Sequence, residues 1–555
     1  MKNYLNKIFS IVLLSGSLSG LTGCMDETFP STSQALEEQV QKSPAATEGL
    51  LAACPAYFNN YSSTWAEKGH YTFSYGAMMY VRDLQTADLA QSTTSYSHQS
   101  YWIRNQYQGD NYIFGQYIWQ YYYGMLNCIN TLVAVVNPET ATSEQLGYLG
   151  VGLAMRAHTY IDLARLYEYL PNDNYPAEYK ARYQDLDAVR QGHRIDSLTV
   201  PIIKAGMSQE AARNNPRATH KDMFRFILED LDNAEKYIVK LNNTRNNTLP
   251  DLAVVYGLKA RLYMWDENYA EAKTYARKAI TEARVQPMNE EDCLNITTGF
   301  NDPTKWMWAS TMTSEDNLVK TGIINWASWL CNQTEFGYTG VGTGLFNIMG
   351  AEMYNRISDT DFRKLEFTAP AGSDLAAKVR WIPEFKNKAE ANGIAVPDYT
   401  SLKFRPAKGN ISEYAVGAAT SYPIMRVEEM YFIEAEAAAH LGEGSTLINS
   451  FMKSFRDPHY NTNKTGDDLV EEIVFQKRVE LWGEGQSFFD IKRLNYDVKR
   501  GYTGTNFYDS SRFNTVGRPA WMNYVMVRTE GDNNEGVRGW NNPDPSDVYT
   551  PWAGN

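Results

Sequence analysis

The chain has 555 residues, with 52 lysines and arginines against 65 aspartates and glutamates and a formal net charge of −13. No basic run breaks that acidic balance, so nucleic acid, which is held by clustered cations that neutralise phosphates, is excluded as a partner. Beyond the amino terminus no apolar run is long enough to cross about 30 Å of hydrocarbon, while the length is ample for a large core.

Lys2 and Lys7 form a positive n-region, and "IFSIVLL" at 8–14 opens a short apolar h-region. This is the layout of a secretory signal rather than of a spanning helix. The run "LTGCMDETFP" at 21–30 follows. Leu21, Thr22, Gly23 and Cys24 resemble a bacterial lipobox, in which the cysteine becomes the first residue after cleavage and carries lipid. Residues 1–23 are therefore expected to be a lipoprotein signal peptide and Cys24 the lipidation site. Acyl chains hold a protein on a bilayer because each buried methylene contributes roughly 0.8 kcal/mol. Residues 24–42 are polar and read as a lipidated tether, and Asp26 and Glu27 resemble an acidic signal for export to the outer face of the outer membrane.

Helical blocks follow, in pairs. "YIWQYYYGMLNCINTLVAVV" (117–136) precedes a block at 147–170 in which Leu153, Ala157, Tyr160, Ile161, Ala164 and Tyr167 keep the spacing of an amphipathic stripe. A block at 219–241 precedes one at 251–283, which Asp266, Glu267 and Asn268 divide at a tight turn. Near the end, 422–442 reads as a helix closed by Gly442 and precedes 468–494. Ala260, Ala272, Ala276 and Ala279 place small residues where two helices would cross, a pattern that looks like a tetratricopeptide unit. The predicted fold class is all-α: a tetratricopeptide-like helix-pair scaffold over about 43–284 and 421–500. A long irregular region, rich in Gly, Asn, Thr and Trp, fills about 285–420, and 501–555 is loop-rich. A long irregular insertion on a rigid scaffold is where function usually sits.

Cys54, Cys128, Cys293 and Cys331 follow Cys24, and none stands in a C-x-x-C pair, which excludes a zinc ribbon. Spacing leaves their connectivity open; buried free thiols are favoured for most of them. No H-E-x-x-H, G-x-S-x-G or P-loop motif is present, so no metal and no cofactor is expected. Glu480 and Glu484, four apart on one helix face, imitate a catalytic carboxylate pair. With Arg426, Glu429, Asp490 and Arg493 they read instead as ion pairs of a packed scaffold, because buried charges persist when paired.

The carboxy-terminal block carries a resemblance. "YPIMRVEEMYFIEAEAAAHLG" followed by "EEIVFQKRVELWGEGQSFFDIKRL" is similar to the SusD/RagB family of outer-membrane lipoproteins. Arg426, Glu429 and Ala435 to Ala437 take the first part of the family pattern. Lys477 or Arg478, Glu480, Leu481, Glu484, Gly485, Asp490 and Arg493 take the second, with Ser487 in place of the usual arginine. "AMRAHTYIDLARLYEYLP" resembles an earlier segment of the family. The resemblance implies one SusD-like domain over 43–555, at the cell surface. It implies a non-enzymatic role: to bind an oligosaccharide, or in some members a peptide, and to pass it as a hinged lid to a SusC-like TonB-dependent transporter. A surface glycosidase is the rival reading from another class.

Sugar rings have apolar faces and polar edges, so an aromatic plate among amides and charges suits them. Two clusters meet that description. "SYWIRNQY" (100–107) sets Tyr101, Trp102 and Tyr107 beside Arg104 and Asn105, in a stretch that reads as irregular. "NWASWLCNQTEFGY" (325–338) sets Trp326, Trp329 and Tyr338 among polar residues. These residues, with Asp83 as a further polar contact, are the expected glycan-binding site. "KWMWAS" (305–310) would turn Trp306 and Trp308 to one face if extended.

Overall fold

A computed structural model describes residues 43–59, 69–94, 96–175, 195, 198–241 and 247–554. Cys24 and the tether lie outside the described residues. Helix dominates, and strands are short. The helices used below are α1 (Pro44–Ala56), α2 (Ser74–Leu84), α3 (Ser97–Ile103), α4 (Ile113–Val135), α5 (Ser143–Tyr167), α6 (His220–Ile238), α7 (Leu252–Trp265), α8 (Tyr269–Glu282), α9 (Val427–His440), α10 (Ser445–Phe455), α11 (Gly466–Glu480) and α12 (Ser487–Arg493).

The pairs expected from periodicity form. Thr142 and Gln145 close a capping box on α5, so two donors at the helix start are satisfied reciprocally. The α5 stripe is buried almost throughout, and α5 packs closely on α6. Gly150 permits the crossing: a β-carbon there would stand 2.5 Å from the backbone nitrogen of Ile238. Between α7 and α8 the chain reverses through Glu267, which takes a left-handed φ of 57°, and Asn268 caps α8 by accepting from the Glu271 N–H. Ala272, Ala276 and Ala279 are fully buried on α8, which lies between α7 and α9.

One boundary differs from the sequence reading. Residues 422–442 do not form one helix, because Tyr422–Met425 is a strand that pairs antiparallel with Trp308–Ser310. Pro423 cannot serve a helix interior, having no N–H to donate. The helix begins only after Arg426. The strand Asn347–Met349 likewise pairs with Leu89–Gln91. Both ladders stitch the irregular stretch to the helices, and a single hydrophobic cluster runs from Leu51 to Val537. Trp306 and Trp308 both end in that core, fully buried.

The charges of the carboxy-terminal block are internal. Arg426 reaches Glu480 and Glu484, and Arg456 reaches Glu480 at 2.7 Å. Arg261 holds Glu429 with two bonds of 2.7 and 2.6 Å, Lys477 pairs with Asp490, and Arg493 pairs with Glu436. These are scaffold ion pairs. Among the described residues no group of His, Cys, Asp and Glu is arranged to hold a metal ion, and no helix is long and apolar enough to cross a membrane.

Candidate functional site

The stretch 100–107 is not irregular: its first half is the end of α3. Helical spacing sends Trp102 inward and leaves Tyr101 half-buried at the surface. After Arg104 the backbone turns through two left-handed residues, Asn105 (φ 55°) and Tyr107 (φ 58°). A tyrosine in that region is costly and persists only where its surroundings fix it. Here the Gln106 N–H donates to the Tyr101 carbonyl at 2.9 Å, the Asp547 N–H to the Asn105 carbonyl at 3.1 Å, and the Gln108 N–H to the Ser546 hydroxyl at 2.9 Å.

The turn sets out a ledge of tyrosines. Tyr101 meets Tyr107 edge-on at 4.8 Å, and Tyr107 meets Tyr112 edge-on at 5.2 Å. Tyr107 and Tyr112 are 45% and 40% exposed, which is unusual for large rings in this molecule. Polar groups line the ledge. The Arg104 guanidinium lies 5.5 Å from the Tyr101 ring centre, and its charge reaches Tyr508 and Tyr549, whose hydroxyls burial pushes up to about 12. Gln106 donates to the exposed Asp547 carboxylate at 3.2 Å, and Asp110 and Asn111 complete the edge.

A second patch surrounds Tyr338. Its ring lies flat on Trp329, with centres 4.0 Å apart and planes 8° apart. His70 hydrogen-bonds the Tyr338 hydroxyl, and Tyr96 stands 5.5 Å from its ring. Burial pushes Tyr338 up to about 12, so it stays protonated at neutral pH. His98 links this patch to the buried Trp102 of α3, 5.4 Å from Tyr96 and 5.9 Å from Trp102. Clusters more than 200 residues apart in sequence are thus brought into one aromatic seam.

Five of the expected contacts are corrected, because the residues offer nothing to solvent. Trp102 and Trp329 are buried beneath the seam and back it. Trp326 is fully buried, stacked on Tyr422 at 5.0 Å and edge-on to Phe404. Asn105 is fully buried and accepts from Gln108. Asp83 is buried on α2, where its carboxylate accepts the Gly485 N–H at 2.8 Å. Burial pushes its pKa well above the ordinary range, which suits a group that fixes a turn rather than a ligand. Tyr101, Arg104 and Tyr338 remain at the surface. Tyr112, Tyr96, His70 and Asp547 join them, and none was selected from the sequence. Only "GDNY" at 109–112, with a tyrosine among turn-forming polar residues, carried a local signal.

Residues 383–546 match the family model described as the SusD family. That match covers the carboxy-terminal part of the chain, from before α9 to the last loops. No curated protein matches the chain. Among solved structures, a SusD-like carbohydrate binding protein from Bacteroides vulgatus is similar at 21% identity and a TM-score of 0.65, over 89% of this chain and 97% of that one. A putative sugar binding protein from the same species is similar at 17% identity and 0.64, over 90% and 98%. A SusD superfamily protein from Bacteroides fragilis is similar at 20% identity and 0.62, over 89% and 99%. At these identities the likeness to the solved structures is one of fold. The SusD family match includes α9 to α12 and ends at residue 546, so the Asp547 side of the ledge lies just past its edge.

Proposed function

We propose that this protein acts as SusD-like proteins are expected to: it binds an oligosaccharide on the Tyr101, Tyr107 and Tyr112 ledge and delivers it, as a hinged lid, to a SusC-like TonB-dependent transporter. The observation that carries the binding reading is the ledge itself: exposed rings edged by Arg104, Gln106 and Asp547. Aromatic plates take the apolar faces of sugars, and the polar edge takes their hydroxyls. The names of the similar structures, a carbohydrate binding protein and a putative sugar binding protein, support the same ligand class. Chemistry on the sugar is not part of the proposal. Glu480 and Asp490, the carboxylates that imitate a catalytic set, are held in buried ion pairs.

The protein would sit at the outer membrane, anchored by lipid on Cys24. The signal-like residues 1–23 and the LTGC run support this. Isothermal calorimetry against a panel of glycans tests the ligand. Binding to oligopeptides with silence across the glycans would exchange the ligand class and leave the lid role. Metabolic labelling with a radioactive fatty acid, in the full chain and in Cys24→Ala, tests the anchor; equal label in both would remove it. Co-purification with a TonB-dependent barrel from detergent extracts tests the partner.

A further inference from the structure

Helices α1 and α4 pack antiparallel. Gln145, in the first turn of α5 across the connection from the end of α4, donates to Thr47 near the start of α1, while Tyr57, just after α1, lies against the middle of α4. There the Tyr121 hydroxyl donates to the Tyr57 carbonyl at 3.3 Å, and a β-carbon on Gly124 would stand 2.4 Å from the Tyr57 hydroxyl. Cys54 is one turn before Tyr57, and Cys128 is one turn after Gly124. On antiparallel helices those two steps lead to the same place; the Cys54 thiol donates to the Leu50 carbonyl at 3.4 Å, and the two thiols are close enough to shift each other's titration.

We propose that Cys54 and Cys128 form a disulfide in the exported protein, locking α1 onto α4. The inference rests on the export reading above, because disulfides persist in oxidising compartments. Cys54 is fully buried and Cys128 is half-buried, so Cys128 is the sulfur an oxidant can reach. The neighbouring Cys54 holds the Cys128 thiol below its ordinary range while Cys128 and burial push the Cys54 thiol up, so Cys128 is the sulfur that attacks first. The oxidant is the disulfide of an exported thiol oxidase. The Cys128 thiolate attacks one of its sulfurs and displaces the other as a thiolate. The Cys54 thiolate then attacks the mixed disulfide at the Cys128 sulfur, forming the internal bond. Two protons and two electrons leave the pair, and the oxidase departs as a dithiol. Cys293, beside Glu366 and Arg456, and Cys331, beside Arg405, are buried and remain thiols.

The bond would close the chain from residue 54 to residue 128 and tie the first helix beyond the tether to the scaffold. That is the point where pull from a membrane anchor would enter the fold. Cells making the full chain are quenched in acid, alkylated with N-ethylmaleimide without reduction, fractionated and digested. The expected result is a peptide pair linking Cys54 to Cys128, two hydrogens lighter than the thiols and absent after reduction, with Cys293 and Cys331 alkylated. In Cys128→Ser, Cys54 should carry the alkyl label. Envelope protein in which both Cys54 and Cys128 are alkylated without reduction overturns the crosslink and leaves export standing. Recovery of the chain in the cytoplasm overturns both.

Discussion

Arg426 and Glu484 face each other through two bonds, Nε and Nη2 to the two carboxylate oxygens at 2.9 Å each, with neither residue reaching solvent. Lys403 adds a third donor to Glu484 at 2.7 Å. Both cations were desolvated on folding, so their charge has no refuge if the carboxylate goes. Glu484→Gln is expected to destabilise the fold by about 3–5 kcal/mol, the range for breaking a buried pair by removing one partner. Urea unfolding followed by far-ultraviolet circular dichroism measures it. A change below about 1 kcal/mol would mean that the pair is dispensable.

The ledge makes the next prediction. Tyr107→Ala and Tyr112→Ala each remove an exposed ring and should weaken glycan binding roughly three- to tenfold, the worth of one aromatic contact of about 0.5–1.5 kcal/mol. Their melting temperatures should stay close to the parent's, since little buried area is lost. Trp102→Ala and Trp329→Ala should do the reverse, lowering stability by about 3–5 kcal/mol through the cavity each leaves. Calorimetry and thermal melts on the four variants separate the two outcomes. Parent-like affinity in both tyrosine variants would move the site elsewhere.

That division between rings marks how far the sequence can be read. Periodicity located α5, and the Asp266–Asn268 turn and the Gly442 stop were legible because capping and turn chemistry act over a few residues. The paired charges were legible too, since Glu429, Glu480, Asp490 and Arg493 fall on helices that must pack, with Arg426 and Glu484 at their ends. The burial of Trp326 was not legible. It depends on Tyr422 and Phe404, each more than 70 residues away, and nothing local to "NWASW" differs from an exposed aromatic patch. Tyr112 was missed for the same reason in reverse: its exposure follows from the left-handed backbone at Asn105 and Tyr107, which no pattern of side chains announces.

Stability should fall in acid in two stages. Burial pushes His158 down to about 3. The unfolded chain binds that proton first, so stability is lost as pH drops from about 6.5 towards 3. For Glu436, burial acts upward but Arg493, His440 and Lys477 outweigh it and hold the carboxyl near 2. Its contribution is present above about 4.5 and lost as pH falls through 2, worth about 3 kcal/mol. A series of unfolding curves from pH 8 to 3 should show a shallow slope that steepens below 4.5. His158→Leu should flatten the upper stage alone.

Glu366 works against this trend. Burial pushes it up to about 7, with Lys403 only partly offsetting the effect. The folded state prefers the protonated acid, so this residue stabilises below about 4.5 and loses that contribution as pH rises through 7. Glu366→Gln keeps the shape and removes the charge. It should raise stability at pH 8 by about 3 kcal/mol and leave it nearly unchanged at pH 4.5. A loss at pH 8 would show that the carboxylate is paired there.

Gly150 tests the crossing of α5 on α6. On propensity alone, alanine in a helix interior gains about 1 kcal/mol over glycine. The backbone of Ile238 stands where the new methyl group would go, 2.5 Å from its nitrogen, and a backbone atom cannot rotate aside as a side chain can. Overpacking of this kind costs about 1–3 kcal/mol, which exceeds the propensity gain. Gly150→Ala should therefore lower the melting temperature, and Gly49→Ala, on α1 where a methyl group would meet nothing, should raise or preserve it. The opposite order would mean that α5 and α6 are not pressed together at this turn.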